Sequence, residues 1–316
     1  MKTDNVKKQS GGELFFAGVD RLVTGRRDIH KDSTADIYRA SGNWLRRLVN
    51  DCSLSLADVT PQLVDNYLRL LRMDGHLMEN TVISYVSGFR SMYNQLKEEA
   101  GYEPRRHPFA HLRLRPEKTV KRALNGKVFE QVAALDLHDA PHLQQAVDIC
   151  LFSYLGCGIP FVDLAHLTAA NIKGDSLVYN RIKTGTAIRV DLTPGMQSIL
   201  SRYTLPDNPY LFALLPSDGE ISHEGYKRLL RNYNSDLKDI GDLLGLTEPF
   251  TSYVVRHTWA TEALRNFIPV AVISQALGHT SEKTTRCYLD QLDQSELSKA
   301  NERITGAVDQ LLRRGA

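Results

Sequence analysis

Tyr288 follows His279 by nine residues and is the only tyrosine beyond Tyr253. His279 closes the run Leu277-Gly278-His279, where Gly278 has the place of a glycine just past a helix end. Arg256 lies between Val254, Val255, Trp259 and Ala260, surroundings in which an unpaired guanidinium would be costly. It therefore needs an anion, either a structural carboxylate or a phosphate gripped by its planar fork. Arg181 and Lys183 stand two apart in the alternating stretch 176–192, so on a strand they would project from one face. Each feature has a plain alternative: a solvated hairpin tip, a buried salt bridge, a turn histidine. As a set they suit one reaction. A tyrosine hydroxyl can attack a phosphodiester phosphorus when its proton is removed and the charge of the pentacoordinate state is neutralised. Two cations on the nonbridging oxygens supply the neutralisation, a histidine donates hydrogen bonds or moves protons, and a lysine protonates the leaving 5′ oxygen. That chemistry needs no metal, and no carboxylate cluster has metal-ligand spacing.

The elements that must hold these groups follow from periodicity. Residues 194–204, 222–245, 252–266 and 269–278 have helical patterns, as do 126–134 and 141–155. In 176–192, Leu177, Tyr179, Arg181 and Lys183 alternate with their neighbours, Thr184-Gly185-Thr186 forms the turn, and Ile188, Val190 and Leu192 alternate on the return. Nearer the N-terminus three helices are predicted. The first runs over about 34–49 with Ile37, Trp44, Leu45, Leu48 and Val49 on one face. The second starts at Thr60-Pro61 and closes at Gly75. The third starts at Asn80 and carries Val82, Val86, Phe89, Met92, Tyr93 and Leu96. Nothing in 13–100 has strand character.

With 316 residues the chain has room for about two domains. A 42% hydrophobic and 24% charged composition excludes wholesale disorder. Four cysteines without a C-x-x-C pair argue against a disulfide framework or a zinc site. No apolar run reaches the length needed to span a bilayer, and residues 1–12 form a polar lead-in rather than a secretion signal, so a cytosolic protein is expected. The net charge is only +2, yet 102–123 holds Arg105, Arg106, Arg113, Arg115, Lys118, Lys121 and Arg122 against Glu103 and Glu117. Its three prolines forbid a continuous helix. The expectation is a basic linker over 104–122 lying along phosphates, or else a merely solvated one, between a helical domain at 13–103 and a second domain at 123–316.

The ordered set Lys-Thr-Gly hairpin, Arg256-His257, Leu277-Gly278-His279 and Tyr288 resembles the catalytic domain of tyrosine recombinases, the phage-integrase family. The stretches Phe161-Val-Asp-Leu-Ala-His-Leu, Arg181-Ile-Lys-Thr-Gly and Leu277-Gly-His-Thr-Ser-Glu-Lys-Thr-Thr-Arg-Cys-Tyr are similar to integrases of Bacteroidetes mobile elements. The resemblance implies a mainly α fold: a helical, SAM-like core-binding domain and a mainly α catalytic domain with a small antiparallel sheet, the DNA breaking-rejoining fold. It implies Tyr288 as nucleophile of a 3′-phosphotyrosyl link, Arg256 as second catalytic arginine, Lys183 as general acid and His279 as the Leu-Gly-His histidine. It also implies double-stranded recombination sites as partner, with no cofactor. Accessory DNA-bending proteins and a dimer-to-tetramer assembled through a C-terminal helix over 289–316 complete that picture, in a bacterial cytoplasm at the nucleoid.

Two positions depart from the family pattern. Tyr253 occupies the place of a histidine, where its hydroxyl can donate but not act as a base near neutral pH. The family's first arginine falls within Gly156-Cys157-Gly158-Ile159-Pro160, which offers no cation. Arg181 is the candidate replacement. Without one, the chain would be a catalytically silent DNA-binding regulator; a type IB topoisomerase-like relaxing enzyme shares the chemistry.

Overall fold

The computed structural model describes residues 14–50, 53–73, 76–117, 123–203, 207–288 and a few helical positions between 301 and 310. The chain forms two compact units, Met1–Thr119 and Val120–Ala316. The first is helical: α1 (Phe15–Asp28), α2 (Asp32–Val49), a short 3-10 turn, α3 (Pro61–Met73) and α4 (Glu79–Glu99). α3 starts where predicted, with the Thr60 hydroxyl accepting from Leu63 N at 3.2 Å ahead of Pro61. Its core is aromatic, with Phe15, Tyr67 and Phe89 fully buried and Phe89 edge-on to both other rings. The inner face of α2 differs from the sequence expectation. Ile37 is exposed, and the buried residues of α2 are Ala35, Tyr38, Ser41, Gly42 and Leu45. The two hydroxyls are admissible there because both are paired, Tyr38 with Ser91 at 2.7 Å and Ser41 with Tyr67 at 3.0 Å.

The expected linker is not a free strand over 104–117. It runs back along α4 as a strap belonging to the first unit. His107 Nδ1 accepts the Phe109 N–H at 3.3 Å, so Nε2 carries the hydrogen and donates to Asn94 Oδ1 at 2.8 Å. His111 meets Asp65 at 2.8 Å, and the Asn80 side chain makes two hydrogen bonds of 3.0 Å to the backbone of Glu117. Phe109 is the plug, 2% exposed and edge-on to Phe89 at 5.0 Å. Arg105, Arg106, Arg113 and Arg115 are exposed on this strap. Lys118, Lys121, Arg122, the 1–12 lead-in and most of 289–316 lie outside the described residues.

The second unit has α5 (Lys127–Ala133), α6 (Pro141–Leu155), α7 (Phe161–His166), β1 (Ile172–Lys173), β2 (Ser176–Asn180), β3 (Ala187–Asp191), α8 (Pro194–Leu200), α9 (His223–Leu243), α10 (Ser252–Arg265), α11 (Val270–Leu277) and α12 (Glu282–Tyr288). The strands form one antiparallel sheet in the order β1-β2-β3, with Leu177 opposite Val190 and Tyr179 opposite Ile188. α6 is buried nearly all round and anchors the core through Ile149, Cys150 and Phe152. Cys150 and Cys157 are free thiols. Among the described residues no helix is long and apolar enough to cross a membrane.

The hairpin corrects one expectation. β2 ends at Asn180, so Arg181 and Lys183 do not share a strand face. Residues 181–186 form a loop closed by Gly185 N–H to the Arg181 carbonyl at 2.7 Å, which turns Lys183 outward while Arg181 stays buried in line with Leu177 and Tyr179.

The strap can be tested by stability. Phe109→Ala should destabilise the protein by about 3–5 kcal/mol in chemical denaturation, whereas Arg105→Gln should change it by less than about 0.5 kcal/mol. A small loss for Phe109→Ala would mean the strap is not part of the core.

Candidate active site

α11 ends in a left-handed glycine. Gly278 has φ +64°, its N–H reaches the Gln275 carbonyl, and the His279 N–H reaches that of Ser274, both at 3.0 Å. This closure leaves the Leu277 carbonyl, at the negative end of the helix, to be satisfied from outside. Two buried arginines do so: Arg181 Nη1 and Arg256 Nη2 both donate to the Leu277 oxygen. A side chain at position 278 would strike Ile188 at 2.7 Å and the Arg181 stem at 2.9 Å, so the glycine also makes room for the hairpin.

Each arginine is fixed on its far side. Arg256 stands on α10, whose start is capped by the Thr251 hydroxyl, and its Nη1 donates to the Gly158 carbonyl at 2.7 Å. Gly158 has φ +73°, and a Cβ there would lie 2.9 Å from the Arg256 Cα. The 156–160 turn, which holds no cation, thus supplies the wall and carbonyl that aim Arg256. Arg181 Nε pairs with Asp163 Oδ2 at 2.6 Å, while Asp163 Oδ1 accepts the Ile182 N–H at 2.9 Å. Asp163 therefore locks the hairpin loop to α7 and neutralises one of the two guanidinium charges.

His279 completes the cluster. Its Nε2 is 3.3 Å from Arg256 Nη2 and its Nδ1 is 2.8 Å from Thr285 Oγ1 on α12. Burial, helped by Arg256, Arg181 and Lys183, depresses its pKa to about 4, so the ring is neutral at physiological pH. A cleft of about 320 Å³ opens beside it, lined by Thr186, Ser274, Gln275 and Glu282 among others.

The structure thus brings Arg181, Arg256 and His279 together. Lys183 is exposed on the adjoining loop, and Tyr288 is the last residue of α12, which packs on α10 and α11. Tyr253 is 55% exposed on the first turn of α10, its ring edge-on to His257 at 4.2 Å. The strap arginines belong to the first unit. Sequence reasoning passed over Asp163, Gly158 and Thr285. Asp163 offered one signal, an acidic residue among the apolar Phe161, Val162, Leu164 and Ala165.

A family model described as the phage integrase family matches residues 133–295, just over half of the chain. The chain belongs to the phage integrase family. A tyrosine recombinase of Thermosipho africanus is 25% identical over 287 residues, covering 85% of this chain and 96% of the relative. Tyrosine recombinase XerD of Agrobacterium fabrum is 30% identical over 89 residues, 28% of this chain and 25% of that one. Two solved structures share the fold. The Tn1549 transposon integrase in complex with a circular intermediate DNA gives a TM-score of 0.63 at 13% identity, covering 92% of this chain and 99% of that one. A lambda integrase dimer bound to a COC' core site gives 0.62 at 16%, covering 88% and 96%. This integrase-family chain is a tyrosine-type site-specific recombinase, and the comparisons favour neither the relaxing-enzyme nor the regulator alternative.

The depressed His279 pKa predicts a pH dependence of stability. Between its ordinary value of 6.5 and about 4 the unfolded chain takes up a proton that the folded site refuses. The contribution is therefore complete above 6.5 and lost as the pH falls toward 4. Denaturation midpoints across this window should fall less steeply for His279→Gln than for wild type; equal slopes would contradict a neutral, buried imidazole.

Proposed function

We propose that this enzyme cleaves and rejoins duplex DNA at recombination sites through a 3′-phosphotyrosyl intermediate on Tyr288, with Arg181 in place of the family's first arginine. The Tyr288 hydroxyl gives up its proton to solvent as its oxygen attacks phosphorus, the bond to the 5′ oxygen breaks, and Lys183 delivers a proton to that leaving oxygen. Arg256 and Arg181 neutralise the nonbridging oxygens, and His279 holds Arg256 in line. The observation that carries this reading is the meeting of both guanidiniums at the Leu277 carbonyl. Two cations gathered against one carboxylate leave a site that an anion completes, and Arg181 Nη2 has no partner among the described residues to fill it. Tyr253 lies close enough in sequence to Arg256 to add a hydroxyl donor once DNA is bound.

The strap arginines Arg105, Arg106, Arg113 and Arg115, with Lys118, Lys121 and Arg122, contact the DNA backbone. Exposed and held along α4, the four described arginines suit a phosphate track. The domain division proposed is a 1–12 lead-in, a core-binding domain over 13–103, the basic segment 104–122 and a catalytic domain over 123–316. The 289–316 helix would dock on a neighbouring protomer, ordering a dimer or tetramer on DNA; Ile304, helical and 80% exposed, is an apolar contact available for it. The enzyme would act in the bacterial cytoplasm on nucleoid DNA, with accessory DNA-bending proteins where the sites demand them.

The test is single-turnover cleavage of a nicked duplex carrying a site enriched from random-sequence DNA by binding to the protein. Arg181→Ala should bind DNA normally but cleave about 10²–10³-fold more slowly, nearly as poorly as Arg256→Ala. Arg181→Lys should recover only part of the rate, because an ammonium lacks the planar fork. Arg189→Ala, on the exposed side of β3, should stay near wild type, and Tyr288→Phe should form no covalent adduct. Wild-type cleavage by Arg181→Ala would end the replacement idea.

A further inference from the structure

Ser274 on α11 is 6% exposed, and its hydroxyl makes no hydrogen bond to a described residue. A hydroxyl so nearly withdrawn from water is costly to leave unpaired. It opens onto the cleft of about 320 Å³ between the hairpin, α11 and the start of α12. One wall of that cleft is His279, which lies 3.3 Å from Arg256 Nη2 through its Nε2. The cleft therefore adjoins the place where the arginine pair would grip a phosphodiester. Gln275 and Glu282 line it too, and no lysine or arginine does. Glu282 meets Arg286 at 3.6 Å, a long and exposed pair that leaves the carboxylate open to another donor. With an acid and no cation, the cleft repels a second phosphate. A carboxylate only accepts, a carboxamide donates and accepts, and a hydroxyl can do either. That set suits an uncharged edge that carries an N–H donor. Successive nucleotides of one strand are about 3.4 Å apart along a duplex, so the base beside a gripped phosphate is within reach of the cleft. On the major-groove edge adenine and cytosine present an amino group, whereas guanine and thymine present only acceptors. A carboxamide pairs with the N6 and N7 of adenine, and a carboxylate accepts from the N4 of cytosine.

We propose that this cleft is a base subsite: Gln275, Glu282 and the buried Ser274 hydroxyl select adenine or cytosine beside the scissile phosphate on the cleaved strand. The inference rests on the reading of the arginine pair as the phosphate site, and it adds sequence discrimination to that site. The strap arginines, by contrast, contact phosphates and carry no sequence information. A good base contact is worth about 5–150-fold in discrimination, and a cleft open to solvent belongs at the low end of that range.

The experiment uses the full-length protein and the nicked duplex above, made with each of the four bases in turn at the two positions flanking the scissile phosphate. Single-turnover cleavage and equilibrium affinity are measured for every duplex. Wild type should favour adenine or cytosine over guanine and thymine by at least about fivefold at one flanking position. Gln275→Ala, Glu282→Gln and Ser274→Ala should each shrink that ratio, chiefly by lowering the preferred duplexes toward the level of the others. Val272→Ala, exposed on the same helix and outside the cleft, should keep the wild-type ratio. Equal cleavage of all four bases by wild type, or a preference for guanine or thymine, would overturn the proposal. So would variants that keep the wild-type ratio, or that slow all four duplexes alike, because the cleft would then serve structure and not selection. Absence of any covalent adduct with wild-type protein would instead sink the recombinase reading. The affinities of the same duplexes for wild type and variants would then still decide whether the cleft reads a base.

Discussion

One backbone oxygen organises the catalytic unit. The Leu277 carbonyl is left over by the glycine closure of α11, and both Arg181 and Arg256 donate to it. Bringing two guanidiniums to one acceptor is costly: like charges on the order of 4 Å apart repel by about 4 kcal/mol in a partly solvated protein. The negative end of α11 and the Asp163 carboxylate offset part of that cost. A bound phosphodiester would offset more, and most of all when negative charge builds up on its oxygens. The arrangement is therefore set for an anion before one arrives, which is the preorganisation that makes electrostatic catalysis effective. The neutral state of His279 follows from its burial, reinforced by the same gathering of cations.

Much of this was legible in the sequence, and the failures have physical causes. Long helices such as α4 and α9 declare themselves through recurring apolar positions, and α6 through a mostly apolar run after Pro141. The N-terminal α1, Phe15–Asp28, starts beside a polar lead-in with no side-chain cap and no acidic residue in its first turn, and left less of a trace. The residue types of the site were visible because an arginine among valines needs an anion and a glycine before a histidine marks a helix end. The convergence of residues 181, 256 and 277 was not visible, because it depends on how a hairpin loop folds beyond the last paired residue. Alternation set Arg181 and Lys183 on one strand face, and the structure separates them: once the ladder ends at Asn180, the period of two no longer binds the chain. Asp163 acts on the Ile182 N–H 19 residues away, Gly158 on an arginine 98 residues away and Thr285 across a turn, so apart from the acid at 163 they leave no local pattern.

The first unit shows how a chain with a net charge of +2 can still concentrate positive surface. Arg21, Arg27 and Arg46 on α1 and α2 are paired with Glu99, Asp36 and Asp20. The four arginines of the strap have no carboxylate partner among the described residues. Charge balance is thus achieved by segregation, with most of these acidic residues spent on helix-to-helix pairing and the strap arginines left without a carboxylate. Aromatic packing beneath it, through Phe109 and His107, converts a proline-broken stretch into a fixed feature.

The central claim is that Arg181 supplies the second cation at the scissile phosphate. A crystal structure of the enzyme on nicked DNA with orthovanadate trapped between Tyr288 and the 5′ hydroxyl tests it directly. The account predicts both Arg181 and Arg256 nitrogens at about 2.7–2.9 Å from the nonbridging vanadate oxygens. An Arg181 still turned to Asp163 and Leu277, with no vanadate oxygen in reach and another cation in its place, would contradict it.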